Sequence, residues 1–286
     1  MFSLTPTSPT RPWLLTPHHY AHLARTVMEQ KAVAKPSAGI MADMIEDMEE
    51  EFALTVDPLA PGLATLYIQG VLYFGASPEE ECFLGLYNTD RLLTAIQQVY
   101  ADPSIKALAL VIDSPGGYVT AIQETAQALH TLAATTPVLA YTSNVCASAA
   151  YWIASASSAL HAAPYADVSG IGVYQAIIDD TAYWQQQGVT FEYIRDGKYK
   201  AMGMPGKAYT ADEIKLITDG VNATSDAFKG AVKSYRPAVT DEQMQGQCFT
   251  ASDPTAAGLV DSIAFRNLGG FLSYAARVAV AIDSRP

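Results

Sequence analysis

Residues 144–154 read NVCASAAYWIA and follow the apolar run Pro137–Tyr141. This order predicts a strand that gives way to a helix, with Ser148 at or just before the first helical residue. Because backbone N–H groups are unpaired where a helix begins, a serine hydroxyl at this point can play one of two roles. It either caps the helix by accepting a hydrogen bond from the next turn, or it serves as a nucleophile. This stretch alone favours the cap.

A second motif lies upstream, where residues 107–117 read ALALVIDSPGG. The run from Ala107 to Ile112 is apolar without alternation, which predicts a strand buried on both faces. Gly116 and Gly117 let the backbone approach a ligand and leave N–H groups free to point at it. Such N–H groups stabilise the negative charge of a tetrahedral intermediate, so the motif supports the nucleophile at Ser148.

A third motif reads IRDGKYKAMGMP over residues 194–205, after a predicted strand at Phe191–Ile194. It places Lys198 and Lys200 in a glycine-bearing loop. Most loop lysines are simply solvated. A lysine becomes a general base near neutral pH only when dry surroundings lower its pKa, and Tyr199, Met202 and Met204 are candidates to supply them.

Taken in order, the three motifs resemble the signal peptide peptidase A family of Ser-Lys serine peptidases, whose soluble branch includes phage prohead proteases. The resemblance covers about Leu63 to Phe265. It implies that Ser148 is the nucleophile and Lys200 the general base. It also implies three sources of oxyanion N–H groups, which are Gly116, Gly117 and Ala149. Ser169 is the candidate that orients the lysine.

Two departures from the family pattern accompany this resemblance. Ala149 and Ala150 stand where the family has two glycines, which narrows the space beside Ser148. Val168-Ser169-Gly170 stands where the family tends to have Thr-Gly-Ser, so the orienting hydroxyl is displaced by one position. We expect these changes to affect efficiency and substrate choice more than the fold.

The resemblance also implies an α/β fold of the caseinolytic protease/crotonase-like ββα superhelix type. The implied activity is that of a serine endopeptidase, which hydrolyses extended or unfolded polypeptides through an acyl-enzyme and needs no cofactor. The expected setting is phage capsid maturation, or signal-peptide and protein degradation. We expect a homo-oligomer with sites near subunit interfaces, and a soluble, cytoplasmic protein associated with phage proheads. Two arrangements of the dyad stay open, one within a single subunit and one shared between neighbours.

The amino-acid composition excludes several classes of binding partner. The formal net charge of −12 argues against nucleic acid or an anionic membrane surface. The first 15 residues lack the pattern of a secretory signal, and no apolar run is long enough to predict a transmembrane segment. Cys82, Cys146 and Cys248 have neither disulfide-framework nor zinc-site spacing, so we expect no metal.

Several alternatives stay open at this stage. Lys198 is a rival base, His161 and His130 are candidates for a Ser-His arrangement, and Cys146 is a rival nucleophile. A structural role is the simpler interpretation of each histidine and of the cysteine. Two other classes of protein also remain. A crotonase-like acyl-thioester enzyme needs neither Ser148 nor Lys200, and a non-catalytic assembly protein of the same fold is insensitive to both.

We divide the chain into an N-terminal extension with helical segments, residues 1–61, and a peptidase domain, residues 62–286. A helix is predicted over Thr16–Lys31, where His18, His19 and His22 are taken as surface residues. Further helices are predicted over Thr89–Tyr100, Val119–Ala134 and Asp241–Gln245. A capping box formed by Thr210 and Glu213 predicts a long helix that ends near Tyr235.

Overall fold

The computed structural model describes residues 13–15, 38–56 and 58–284, and it shows a mixed α/β architecture. The strands are β1 (Trp13–Leu15), β2 (Thr55–Val56), β3 (Leu63–Gln69), β4 (Val71–Tyr73), β5 (Leu86–Asn88), β6 (Ala107–Asp113), β7 (Gly116–Tyr118), β8 (Val138–Thr142), β9 (Val145–Ala147), β10 (Ala159–Ala162), β11 (Asp167–Ser169) and β12 (Cys248–Thr250). The helices are α1 (Ala38–Glu51), α2 (Pro78–Leu84), α3 (Asp90–Ala101), α4 (Ile122–Ala133), α5 (Ala149–Ser155), α6 (Thr181–Gln186), α7 (Ala211–Tyr235) and α8 (Leu268–Asp283), and a 3₁₀ helix covers Pro254–Ala256. The predicted helix Thr16–Lys31, with its three histidines, lies outside the described residues.

The largest sheet has the order β10-β8-β6-β3-β2, in which the first four strands are parallel and β2 is antiparallel. Its central strand β6 is the predicted buried strand, and Ala107 to Leu110 are completely buried. Strands covered on both faces read as continuous apolar runs, which explains the missing alternation. The predicted α/β class is therefore confirmed.

Two smaller sheets lie beside the largest one. Their strand orders are β1-β7-β4-β5 and β12-β11-β9. The main strands β3, β6, β8 and β10 are each followed by a short strand that belongs to one of these smaller sheets. The chain therefore leaves the main sheet repeatedly through a turn, and the turn after β6 lies beside β9 through a parallel bridge between Ser114 and Cys146.

Gly70 divides the β-rich run at residues 64–73 into β3 and β4. Its φ of +94° lies in a region that favours glycine, and its N–H donates to the carbonyl of Asp113 over 3.1 Å. An ideal Cβ at this position would lie 2.4 Å from the carbonyl oxygen of Gly85. Only glycine fits this break, which carries the chain from the main sheet into the smaller one.

Aromatic pairs join the helices to the core. Trp152 of α5 stacks on Phe228 of α7 at a centroid distance of 4.6 Å, and Phe271 of α8 stacks on Tyr141 at 4.9 Å. Phe52, which directly follows α1, meets Tyr87 edge-on at 5.4 Å. Residues 38–56, which we place in the N-terminal extension, thus contribute both a core aromatic and the strand β2.

Two predicted elements are wrong. Phe191–Ile194 forms no strand, and Ile194 is 98% exposed, so the local β-propensity of this segment finds no partner strand among the described residues. Asp241–Gln245 forms single turns instead of a helix. The capping box is confirmed, because Thr210 Oγ1 accepts from the N–H of Glu213 and the Glu213 carboxylate accepts from the N–H of Thr210.

Candidate active site

Ser148 lies between β9 and α5 in an unusual backbone conformation. Its φ of 55° and ψ of −121° are rare for a residue with a side chain, and it is 1% exposed. Its N–H donates to the carbonyl of Ser169 over 2.7 Å, which holds it against β11. Such strain costs about 1–3 kcal/mol and persists only where the surroundings enforce it.

The Ser148 hydroxyl does not cap α5. It occupies the N-cap position, yet its side chain makes no cap hydrogen bond, and Oγ has no hydrogen-bond partner among the described residues. Ser77 and Thr210, which precede α2 and α7, both form complete capping boxes with an extended backbone. The positive φ at Ser148 therefore removes the ordinary explanation for a serine at a helix start.

A backbone N–H group without a partner inside the helix lies next to Ser148. Ala149 is the first residue of α5, where N–H groups have no partner within the helix, and it is completely buried. The structure places the glycine pair nearby, since β7 contacts α5 and Ala147 donates to the carbonyl of Ser114 over 3.1 Å. Ser148, Ala149 and the glycine turn therefore meet at one edge of the fold.

The two glycines also have structural requirements of their own. Gly116 has a φ of +100°, and its N–H donates to Ser114 Oγ over 3.2 Å. Gly117 lies so close to β4 that an ideal Cβ would be 2.0 Å from the carbonyl oxygen of Leu72. Glycine is thus needed at both positions for the backbone path, independently of any role in binding an oxyanion.

Ser114 is a residue whose role the motif alone did not indicate. Its Oγ donates to the carbonyl of Gly70 over 2.7 Å while it accepts from Gly116. It therefore ties the turn after β3 to the turn after β6. Beside it, the Asn144 amide donates to Asp113 Oδ1 over 2.9 Å. These polar contacts fix the position of the segment that holds Gly116 and Gly117 relative to the segment that holds Ser148.

Ser169, the residue expected to orient the lysine, lies on β11 next to Ser148. It is completely buried with a φ of 94°, and its Oγ donates to the carbonyl of Gln243 over 3.3 Å. An ideal Cβ at the neighbouring Gly170 would lie 3.1 Å from the Ser148 nitrogen. The structure therefore brings Ser169 to Ser148, with its hydroxyl engaged to the backbone.

Lys200 is not joined to Ser148 by any contact among the described residues. It is exposed and lines an open depression of about 300 Å³. The walls of this depression come from the same loop, namely Tyr193, Ile194, Arg195, Asp196, Ala201 and Met204. Tyr199 is 40% and Met204 41% exposed, so the expected dry surroundings are not formed within one chain.

The alternative bases, Lys198, His161 and His130, each contact other residues. Lys198 forms an ion pair with Asp212, whose carboxylate raises the pKa of the lysine and so opposes its use as a base. His161 packs edge-on against Phe265, and burial lowers its pKa. His130 lies against the ring of Tyr235 at 4.4 Å. Aromatic packing therefore accounts for the two histidines, and an ion pair accounts for Lys198.

Cys146 and the possible metal ligands offer no competing centre in the described part of the chain. Cys146 is completely buried, and desolvation raises the pKa of its thiol far above the ordinary value. A buried thiol of this kind is inert as a nucleophile. Within residues 13–15, 38–56 and 58–284, no three histidine, cysteine, aspartate or glutamate side chains gather in a way that would hold a metal ion.

Comparison with known proteins finds similarity to a peptidase family in the segment that carries Ser148. Residues 130–268 match peptidase family S49. The chain is 29% identical over 178 residues to the chloroplastic serine protease SPPA of Arabidopsis thaliana, covering 61% of this chain and 26% of that protein. It is 27% identical over 207 residues to the head-tail preconnector protein GP5 of Enterobacteria phage P21, covering 71% of this chain and 40% of that protein.

A further relative is the capsid assembly protease C of Escherichia phage lambda, 24% identical over 204 residues, which cover 71% of this chain and 46% of that protein. The chain thus spans less than half the length of each of these three relatives. None of the helices in the described ranges is long and apolar enough to cross a membrane.

Proposed function

We propose that this chain, whose residues 130–268 match peptidase family S49, is a serine endopeptidase with Ser148 as its nucleophile. The observation that carries the proposal is the state of that serine. It is strained, it does not cap its helix, and its buried Oγ has no partner among the described residues. A strained hydroxyl beside unpaired helix N–H groups is the arrangement that acyl transfer requires.

The proposed reaction passes through an acyl-enzyme. Ser148 Oγ attacks the carbonyl carbon of an extended polypeptide, while Lys200 accepts the hydroxyl proton and returns it to the leaving amine. The N–H groups of Ala149, Gly116 and Gly117 stabilise the oxyanion, and the Gly116 N–H must first leave Ser114 Oγ, to which it donates over 3.2 Å. Ser169 keeps its proposed place as the residue that orients the lysine. Water then hydrolyses the ester and frees Ser148.

In the proposed mechanism a second subunit buries Lys200, which is exposed within a single chain. A lysine acts as a base near pH 7 only when its pKa falls some 3 units below about 10.4, a change equivalent to roughly 4 kcal/mol that burial provides. The segment that bears Lys200 exposes a row of large apolar side chains, namely Ile177, Ile178, Tyr183, Val189, Phe191 and Ile194. We therefore place this segment at a subunit interface, where Lys200 meets the Ser148 of a neighbour.

The fold and setting extend the same proposal. The repeated sequence of main strand, short strand and helix, as in β6-β7-α4 and β8-β9-α5, supports a caseinolytic protease/crotonase-like ββα superhelix. Because one relative is a capsid assembly protease and another a chloroplastic serine protease, the proposed substrates are phage capsid proteins, or other polypeptides in extended form.

The experiment measures cleavage of casein by the purified protein and three variants. We expect Ser148→Ala and Lys200→Ala to be inactive. Lys198→Ala is the matched control in the same loop and should keep its activity. Mixing the two inactive variants should restore part of the activity, because some interfaces then combine an intact serine with an intact lysine.

Each alternative has its own outcome. Activity that survives in Lys200→Ala would exclude it as the base, and a mixture that stays inactive would exclude the shared dyad. A parent protein that cleaves nothing would favour a non-catalytic assembly protein, for which the buried pair Ala149 and Ala150 leaves little room beside Ser148. Hydrolysis of an acyl thioester that is unaffected by both substitutions would identify the crotonase-like class.

A further inference from the structure

The strand β1 pairs with β7, directly beside the glycine turn. The pairing is antiparallel, with Trp13 opposite Tyr118, Leu14 opposite Gly117 and Leu15 opposite Gly116. We infer that β1 occupies the position of a substrate strand, and that the chain's own N-terminal segment is a substrate of its active site. This inference rests on the proposed function and names a substrate for it.

The pairing places β1 near Ser148 through a short series of backbone contacts. Ser114 forms a bridge with Cys146, and β7 begins two residues after Ser114 while Ser148 lies two residues after Cys146. In addition, β7 contacts α5, which begins immediately after Ser148. A strand added to the free side of β7 therefore runs along the edge where the nucleophile lies.

The direction of β1 fits cleavage. Because the pairing is antiparallel, the chain runs from its position opposite Tyr118 toward its position opposite Gly116, which is the end of β7 nearer the Ser114 turn. Leu14 and Leu15 thus lie opposite the two glycines proposed to bind the oxyanion. The scissile carbonyl is then that of Leu14 or Leu15.

The sheet order explains why this place is open to other peptides. β7 has β4 on one side and β1 on the other, so removal of β1 leaves the backbone of β7 at a free edge. Free edges accept extended peptides through main-chain hydrogen bonds. β1 and an external substrate therefore compete for the same edge, and cleavage of the segment makes it available.

The reaction is a hydrolysis with water as the only co-reactant. Ser148 Oγ bonds to the carbonyl carbon of Leu14 or Leu15, its proton passes to the leaving nitrogen, and the C–N bond breaks. The following residue becomes a new N-terminus. Water then cleaves the ester, which releases the N-terminal peptide as a carboxylate and returns the proton to Ser148.

The test follows the intact mass of the purified full chain during incubation, with N-terminal sequencing of the product. We expect the parent to lose residues 1–14 or 1–15, and Ser148→Ala to remain intact. Leu15→Pro should stay uncut and cleave casein at a higher initial rate, since proline fixes φ at about −65° where an antiparallel strand needs about −140°. Leu4→Pro, the same substitution outside β1, should be cut like the parent.

The outcomes separate this inference from the proposed function. A parent that cleaves casein but keeps its N-terminus, or is cut elsewhere, would overturn the inference and leave the peptidase intact. The same cut in purified Ser148→Ala would overturn it by assigning the cleavage to another protease. Absence of casein cleavage together with an intact N-terminus would overturn both.

Discussion

Replacing Ser148 distinguishes a nucleophile from a helix cap by the sign of the stability change. If Ser148 were a cap, Ser148→Ala would cost about 1 kcal/mol of unfolding free energy. Its buried hydroxyl makes no hydrogen bond among the described residues, so we expect its removal to return about 1 kcal/mol instead. At about 2–4 °C per kcal/mol for a chain of this size, Tm should rise by about 2–4 °C.

Ser148→Gly should raise the unfolding free energy further. The backbone at φ 55° and ψ −121° carries strain of about 1–3 kcal/mol, which glycine relieves at an entropic cost of about 0.5–1 kcal/mol. The net gain over alanine is about 1 kcal/mol, so the rise in Tm should be roughly twice that of Ser148→Ala. Both variants should be inactive on casein, which would show stability gained where activity is lost.

The control lies on the same helix. Ser155 is also 1% exposed, but its Oγ donates to the carbonyl of Trp152 over 2.7 Å. Ser155→Ala should therefore remain active without a rise in Tm. Thermal unfolding followed by circular dichroism measures all three variants. A fall of about 1 kcal/mol in Ser148→Ala would refute the reasoning, because it would show that the hydroxyl stabilises the helix as an ordinary cap does.

Two further predictions concern an ion pair at the start of α7 and a glycine of β7. The ion pair with Lys207 and the N–H of Thr210 lower the pKa of Glu213 from 4.5 to about 2, so its stabilising effect is complete above about pH 4.5 and is lost as the pH falls toward 2. Glu213→Gln should lower Tm at pH 7, and the difference from the parent should shrink below pH 4.5. Gly117→Ala should cost about 1–3 kcal/mol and abolish casein cleavage, because its Cβ would lie 2.0 Å from a β4 carbonyl oxygen. Gly220→Ala, on α7 with no atom within 4 Å of the added carbon, should gain about 1 kcal/mol and remain active, and an unchanged Tm in Gly117→Ala would contradict the packing argument.

Local patterns predicted the elements that are decided by nearby residues. The apolar run of β6, the amphipathic face of α3 and the capping box of α7 all appear in the structure within one or two residues of their predicted bounds. These features depend on period and on contacts three or four residues apart, which a sequence displays directly.

Features that depend on distant residues were missed. Gly70 breaks a run that looks continuous, because its N–H is held by Asp113 and its Cα faces Gly85. Phe191–Ile194 has the residue types of a strand but no partner to pair with among the described residues. The three-residue pairing of β1 with β7 is likewise too short to leave a pattern in the sequence.

The residues of the candidate site fall into the same two groups, those that local motifs indicate and those that depend on distant contacts. The motifs indicated that Ser148, Ala149 and the two glycines belong together, and the structure places them at one edge of the fold. The assignment of Lys200 stays a prediction, because its partner in the proposed mechanism belongs to another subunit. The strain at Ser148 was not visible in the sequence, which suggested an ordinary helix start.

The measurement that tests the central claim most directly is the intact mass of the protein after treatment with a serine-reactive acylating inhibitor, followed by peptide mapping. The proposed function predicts one adduct per chain, located on Ser148, together with loss of casein cleavage. Ser148→Ala should take up no label, and Ser155→Ala should be labelled like the parent. A parent protein that remains unlabelled, or an adduct on another residue, would contradict the assignment of Ser148 as the nucleophile.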